Sequence, residues 1–376
     1  GINAEYGEYM SDKRQTEYLK NDRLTIPVAV TQISEKGWCN EPVDSIICAI
    51  STIQAPGVTV VKSAGFQRLR NLQSIKLPQC HTLEELALEG SQMTNFEAPK
   101  LQTVCKQALS NCTLLRELLS PIETVEQQGF ENCFSLSRIN SKFVKSLQMS
   151  AFANCLVLRQ FSSQVLGQLA PKAFLNCFSL ASVLLSKVRD VPELCFTNCS
   201  ALQIFLFAGG KVYARAFEQC CNLTYFAGQV TEVAENAFVN CGLVKVFGKS
   251  DVDQIRVKGK CQVEQCGLEG LSIEAHFEHL SSINQQLVDF VDREEVKAAA
   301  KKPEVLLGEE KTLLLEKTKQ YVYLSPNVTL HQKEAFLKVY QLMKGNDEKL
   351  AAQIKKLKEQ QKLQLAVNEL LCKAGK

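Results

Sequence analysis

The sequence predicts an α/β repeat solenoid. Units of 21–22 residues each add a short strand to a parallel sheet on one face, and a mainly helical C-terminal region follows. Two observations carry this reading. First, Phe66, Leu88, Leu109, Phe130, Phe152, Phe174, Phe196, Phe217 and Phe238 recur at steps of 21 or 22 residues. Second, three further apolar columns keep a fixed distance from that one. Five residues before it lie Val61, Leu83, Val104, Val125, Leu147, Leu169, Val191, Val212 and Val233. Six after it lie Leu72, Leu115, Leu136, Leu158, Leu180, Leu202 and Leu223, and nine after it Ile75, Leu118, Ile139, Phe161, Val183, Phe205 and Phe226. The units at Ala87 and Ala237 are one residue short and give Met93/Phe96 and Leu243/Val246 instead.

A unit of this size cannot bury its own apolar face, so burial accrues between stacked neighbours. At roughly 1.5–3 kcal/mol per fully buried large apolar side chain, four columns can support a stable array. Segments such as Leu72-Gln73-Ser74-Ile75-Lys76-Leu77 alternate with strand period and place one short strand in each unit, giving one long parallel sheet.

Taken in chain order, residues 1–32 read as an N-terminal extension or cap, of which the first 20 are polar. Ile33 and Trp38, five residues apart, read as a distorted first unit of a solenoid that runs over 33–250. The array then repeats a pair, Asn-Cys, at 111–112, 132–133, 154–155, 176–177, 198–199 and 240–241. A catalytic pair would occur once. A repeated pair in strict register reads as a cysteine ladder in the scaffold, with Cys as a small buried apolar filler and Asn satisfying backbone groups at a turn.

Beyond residue 250 the repeat stops. Residues 251–325 read as a capping and helical linker region, with helical spacing at Ile273, Phe277, Leu280, Leu287 and Val291 behind an N-cap at Ser272. Residues 326–376 read as a C-terminal helical hairpin or coiled-coil-like tail, interrupted at Gly345-Asn346-Asp347. Gln361, Gln364 and Asn368 make its seam polar for a coiled coil, so one apolar face packed on a neighbour is the alternative.

The joint register of Ala-Phe, Cys and Leu, with LQSIKLPQC at 72–80 as the closest single copy, resembles the BspA-type leucine-rich repeats over about Ile33 to Phe247. That resemblance implies a leucine-rich-repeat arc with its sheet on the concave side and a role in binding proteins. Many members of the family are surface or secreted proteins, often adhesive.

On this reading, residues eight and ten after the aromatic face outward on the concave side. They begin polar, with Ser74/Lys76, Glu117/Leu119, Arg138/Asn140 and Gln160/Ser162, and end apolar. Leu184, Ile204, Leu206, Tyr225 and Phe247 form a candidate exposed partner-binding patch, unless the chain's own C-terminal region covers them.

Chemistry is sparse by comparison. The net charge of +3 over 376 residues supplies no basic field for nucleic acid, and there is no apolar run long enough to span a bilayer. Phosphate-binding and nucleophile-elbow motifs are missing, and four His in all leave the column cysteines without recurring general bases. Cys261, Cys266, His276 and His279 follow C-x4-C-x9-H-x2-H, the ligand types of a zinc module. Its middle gap is short, and two capping cysteines plus two helical histidines is the plainer reading. The expectation is thus a non-enzymatic protein-binding scaffold that needs neither cofactor nor small-molecule substrate, with C-terminal helices for docking or self-association. Sixteen cysteines and a polar N-terminus point to the cytoplasm. A surface or secreted protein would need a leader ahead of Gly1.

Overall fold

The computed structural model describes residues 5–6, 19–38, 49–247, 250 and 252–266. The chain divides into two compact units, Gly1–Ser281 and Ser282–Lys376, and every described residue belongs to the first. The helices expected over 272–319 and 333–376 lie outside the described residues, as do His276 and His279.

Most turns of the solenoid carry two short strands, so the described residues form two rows of strands where the sequence suggested one; the back row is interrupted around Leu169 and resumes with Lys211–Val212 and Glu232–Val233. The front row uses the Leu-x-x-Ile segments. It runs as a five-stranded sheet ending at Asn95–Glu97, a two-stranded piece of Glu117–Leu118 and Arg138–Ile139, and a six-stranded sheet from Gln160–Ser163 to Gln262–Cys266. The row breaks where the chain bends away early. Pro121, which lacks an N–H, follows the strand at 117–118, and a 3-10 turn at Ser141–Phe143 follows the strand at 138–139.

The back row is built from the column five residues before the aromatic. Gln32–Ile33, Val60–Val61, Thr82–Leu83, Thr103–Val104, Thr124–Val125 and Ser146–Leu147 pair in parallel register, with Glu5–Tyr6 at the edge. Two residues are too few to show an alternation in sequence, which is why this row was illegible there.

Both rows turn side chains inward, one from each two- or three-residue strand and two from the longer strands. Ile53, Ile75, Phe161, Val183, Phe205 and Phe226 from the front, and Val61, Leu83, Val104 and Val125 from the back, are fully buried in one continuous core. Between them the column phenylalanines stack coil on coil. Phe130, Phe152, Phe174, Phe196, Phe217 and Phe238 have centroid separations of 5.1–5.5 Å and interplanar angles of 5–9°. In the short unit at Ala237 the inward residues are Val244 and Val246. Leu243, expected in the core, is 44% exposed, because the strand Leu243–Phe247 alternates with Lys245 and Phe247 on its outer side.

Both ends of the row extend further than the repeat alone indicates. Arg23–Thr25 pairs in parallel with Thr52–Gln54 and forms a hairpin with Leu19–Lys20. At the other end a helix, Val252–Val257, takes the place of the usual turn. The strand Gln262–Cys266 then adds to Leu243–Phe247 in parallel.

The Asn-Cys pair is explained by backbone and packing together. Asn111, Asn132, Asn154, Asn176, Asn198 and Asn240 all have φ between 59° and 64°, a left-handed conformation that Asn tolerates better than most residues. Their side chains join hand to hand along the coils. The Nδ2 of Asn132 donates to Asn111 Oδ1 at 2.9 Å, Asn154 to Asn132 at 2.7 Å, Asn176 to Asn154 at 2.8 Å and Asn198 to Asn176 at 2.7 Å. The run ends where Asn111 donates to Glu89, which also pairs with Arg68.

Asn154→Ala removes two of these links and places a Cβ residue without local hydrogen bonding at positive φ, so we expect a loss of about 2 kcal/mol. Asn154→Gly keeps the backbone conformation and should lose about 1 kcal/mol less. Urea midpoints of the two variants check this. Equal losses would remove the backbone part of the explanation.

Candidate functional site

The column cysteines hold the scaffold together by a specific interaction. Seven thiols, at Cys112, Cys133, Cys155, Cys177, Cys199, Cys220 and Cys241, donate from Sγ to the carbonyl of Leu88, Leu109, Phe130, Phe152, Phe174, Phe196 and Phe217, at 3.1–3.3 Å. Each acceptor belongs to the column residue of the preceding coil. Burial pushes the Cys133 and Cys177 thiols up from the ordinary value of 9.0 to about 12, and pushes Cys112, Cys155 and Cys199 well above it. Thiols that hold their protons in this way are poor nucleophiles at neutral pH.

Of the four residues with zinc-ligand spacing, only Cys261 and Cys266 are among the described residues. Cys261 packs against the core, and burial raises its thiol to about 12. Cys266 pairs in register with Phe247, on the outer side of the last strand. Cys261 lies just ahead of the strand Gln262–Cys266 and packs on the core, whereas Cys266 ends that strand beside Phe247.

The outer side of the front row is the remaining candidate. Its N-terminal half is polar and exposed, with in-register ion pairs between Lys76 and Glu97 at 2.9 Å and between Arg138 and Glu117 at 3.6 Å. Exposed pairs of this kind contribute little stability, about 0–1 kcal/mol, so they are surface available to a partner.

In the C-terminal half, parallel register brings the five sequence-derived residues together. Leu184, Leu206, Ala227 and Phe247 occupy one line across the strands, and Ser182, Ile204, Tyr225 and Lys245 the next. Leu184, Ile204, Leu206 and Ala227 form an apolar cluster of their own, with Tyr225 and Phe247 packed against it. The Tyr225 and Phe247 rings stack at 4.2 Å.

The patch differs from expectation in one respect: it is not open. Leu184, Leu206 and Ala227 have no exposed surface and Ile204 only 4%. Burial of the phenol likewise pushes Tyr225 up to about 12. Burial falls off at the strands on either side, where Gln160, Lys245 and Glu264 are open to solvent. Sequence alternation identified which residues share this face. It could not identify their burial, because alternation says which face a residue takes and not what packs on that face.

A family model for the BspA type leucine-rich repeat region matches six copies over residues 44–159 and 124–245. The chain belongs to the BspA-type leucine-rich repeat proteins. Among solved structures, it is similar to a leucine-rich repeat protein from Bacteroides ovatus, with 15% identity over 66% of this chain and 92% of the other and a TM-score of 0.28. It is also similar to a leucine rich cell surface protein from Faecalibacterium prausnitzii (17% identity, 67% and 89% coverage, TM-score 0.27). A third is the pneumococcal vaccine antigen PcpA (13% identity, 68% and 91% coverage, TM-score 0.37). No curated protein matches. Among the described residues of this BspA-type chain, no helix is long and apolar enough to cross a membrane.

Proposed function

We propose that this BspA-type protein is a non-enzymatic scaffold that binds a protein partner on the outer, concave side of its front row. Leu184, Ile204, Leu206, Tyr225 and Phe247 form the apolar floor of that site, and the exposed strands from Ser74 to Gln160 form its polar approach. The observation that carries the proposal is the segregation of this one face. Its outward residues change from charged to apolar along the row, while the inward residues stay apolar throughout.

The apolar floor is two side-chain lines deep and bounded by Gln160 and Lys245. Strands about 4.8 Å apart make it one helix wide, so its fitting occupant is an amphipathic helix with one apolar stripe. The C-terminal helices expected from sequence serve docking or assembly.

The thiol donors must be reduced while the coils assemble, which favours the cytoplasm. Family membership supports a second reading, a surface or adhesin-like protein that binds extracellular ligands. An oxidising compartment would work against those thiols.

The test is photo-crosslinking from single benzoylphenylalanine residues in the full chain, in its native cell. Positions Lys76, Glu117 and Gln160 on the front row should capture the same protein partner, and positions Thr103 and Ser146 on the back row should not. Capture from the back row alone would sink the proposal.

A further inference from the structure

The turn that leads from each column residue into the front row carries an exposed apolar side chain in four successive coils. Leu114, Phe134, Val157 and Phe178 are 39–46% exposed. Each lies one or two residues past a ladder cysteine, at Cys112, Cys133, Cys155 and Cys177. The run is bounded, because Gln92 and Ser200 take the matching place in the coils on either side. Backbone hydrogen bonds between coils hold the ridge in shape. Ser135 N donates to Thr113 O at 3.2 Å, Ser179 N to Leu156 O at 3.1 Å and Ala201 N to Phe178 O at 3.0 Å. A preformed apolar ridge of this kind marks an interaction site, and a ligand need not order it.

The side of the ridge toward the front row is basic. In the turn segments 111–117, 132–138, 154–160 and 176–182 the charged residues are Arg116, Glu117, Arg138 and Arg159. Glu117 is matched by Arg138 at 3.6 Å. Arg116 and Arg159, two residues past Leu114 and Val157, are exposed and have no ion pair among the described residues.

We infer that this ridge is a second docking surface, independent of the face proposed above, for an acidic amphipathic helix of a protein partner laid along the solenoid axis. Coils about 4.8 Å apart set Leu114 and Phe178 about 14 Å apart along that axis. Helix residues at i, i+3, i+7 and i+10 span about 15 Å, one for each coil, whereas alternate residues of an extended strand, about 6.7 Å apart, fall out of step. The ridge zigzags, since Leu114 and Val157 sit one residue further past their cysteines than Phe134 and Phe178. Steps of three and four residues give a helical stripe the same stagger. Charge sets the rest of the partner's chemistry: acidic residues beside its stripe meet Arg116 and Arg159, and basic residues there meet like charge.

Fluorescence anisotropy with the full chain tests this. The probe is a labelled helical peptide with Leu at i, i+3, i+7 and i+10 and Glu at the flanking positions. It should bind at least about tenfold more tightly than the same peptide with Lys for Glu, and more weakly as NaCl is raised. Arg116→Glu with Arg159→Glu, and separately Phe134→Ser with Phe178→Ser, should each weaken binding by about tenfold or more. All four side chains are exposed, so the urea midpoint should hardly move. A photoreactive group on the peptide should link to the segments carrying Phe134 or Phe178. Equal binding of the two peptides, unchanged affinity of either double variant, or links only to the segments carrying Leu184 or Leu206 would each overturn the assignment. So would a dimer of the chain that the two serines abolish, or capture by phosphatidylserine vesicles in place of the peptide. The comparison of the two peptides needs no variant, so it decides even where a variant fails to fold. Failure here leaves the front-row face standing, because that face is read from its own crosslinking positions.

Discussion

Replacing Phe174 by Ala should destabilise the solenoid by about 3–5 kcal/mol, the usual cost of truncating a fully enclosed phenylalanine. The ring is buried between Phe152 at 5.5 Å and Phe196 at 5.3 Å, with Phe161 edge-on at 4.9 Å. Removing it opens a cavity shared by three coils, which neither neighbour can fill without breaking its own stack.

Phe178 of the same unit is an internal control. It is 46% exposed, just past the Asn-Cys pair, and Phe178→Ala should change stability by no more than about 0.5 kcal/mol. Denaturant midpoints of the two variants, compared at constant slope, give both values. Similar losses would mean that the column is not the structural spine.

The second large effect is an alkaline collapse. Buried thiols such as Cys133 and Cys177 hold their protons up to about pH 12 in the folded chain, against an ordinary value of 9.0. The folded pKa is therefore the higher one. The stability is fully present below about pH 9 and is lost as pH rises from there toward 12, because only the unfolded chain releases the proton. Each such thiol costs about 1.4 kcal/mol per pH unit in that window, and three together about 4 kcal/mol per unit. Unfolding free energy measured from pH 7 to pH 11 should thus be level to about pH 9 and then fall steeply. Replacing Cys133 and Cys177 by Ala should make the fall shallower by about 2.7 kcal/mol per unit. An unchanged slope would exclude the buried thiols as its source.

What could be read in the sequence follows the range of the forces involved. Phe152, Leu158, Val183 and Phe205 were legible because each is buried by its own unit and the next, so the signal repeats every 21–22 residues. The register of Leu184, Ile204, Leu206, Tyr225 and Phe247 was legible for the same reason, since strand alternation is local. Their burial was not, because alternation along a strand gives the face a residue takes and not what packs on that face.

Two further features escaped for physical reasons of their own. The back row consists of two-residue strands whose pairing is a property of stacked coils. Leu243 was misplaced because a unit one residue short shifts which side of the strand faces inward. The Asn of each Asn-Cys pair was legible as a turn residue. Its part in a side-chain chain of hydrogen bonds requires the coils to be stacked first.

The central claim is that the Asn-Cys pairs are spine and that binding belongs to the outer face. Site-resolved thiol alkylation at neutral pH, read by mass spectrometry before and after denaturation, tests it most directly. Exposed Cys221 should react quickly in the native chain, whereas Cys112, Cys133, Cys155, Cys177, Cys199 and its neighbour Cys220 should react only after unfolding. Rapid native labelling of any of those six, or a disulfide found between two of them, would contradict the account.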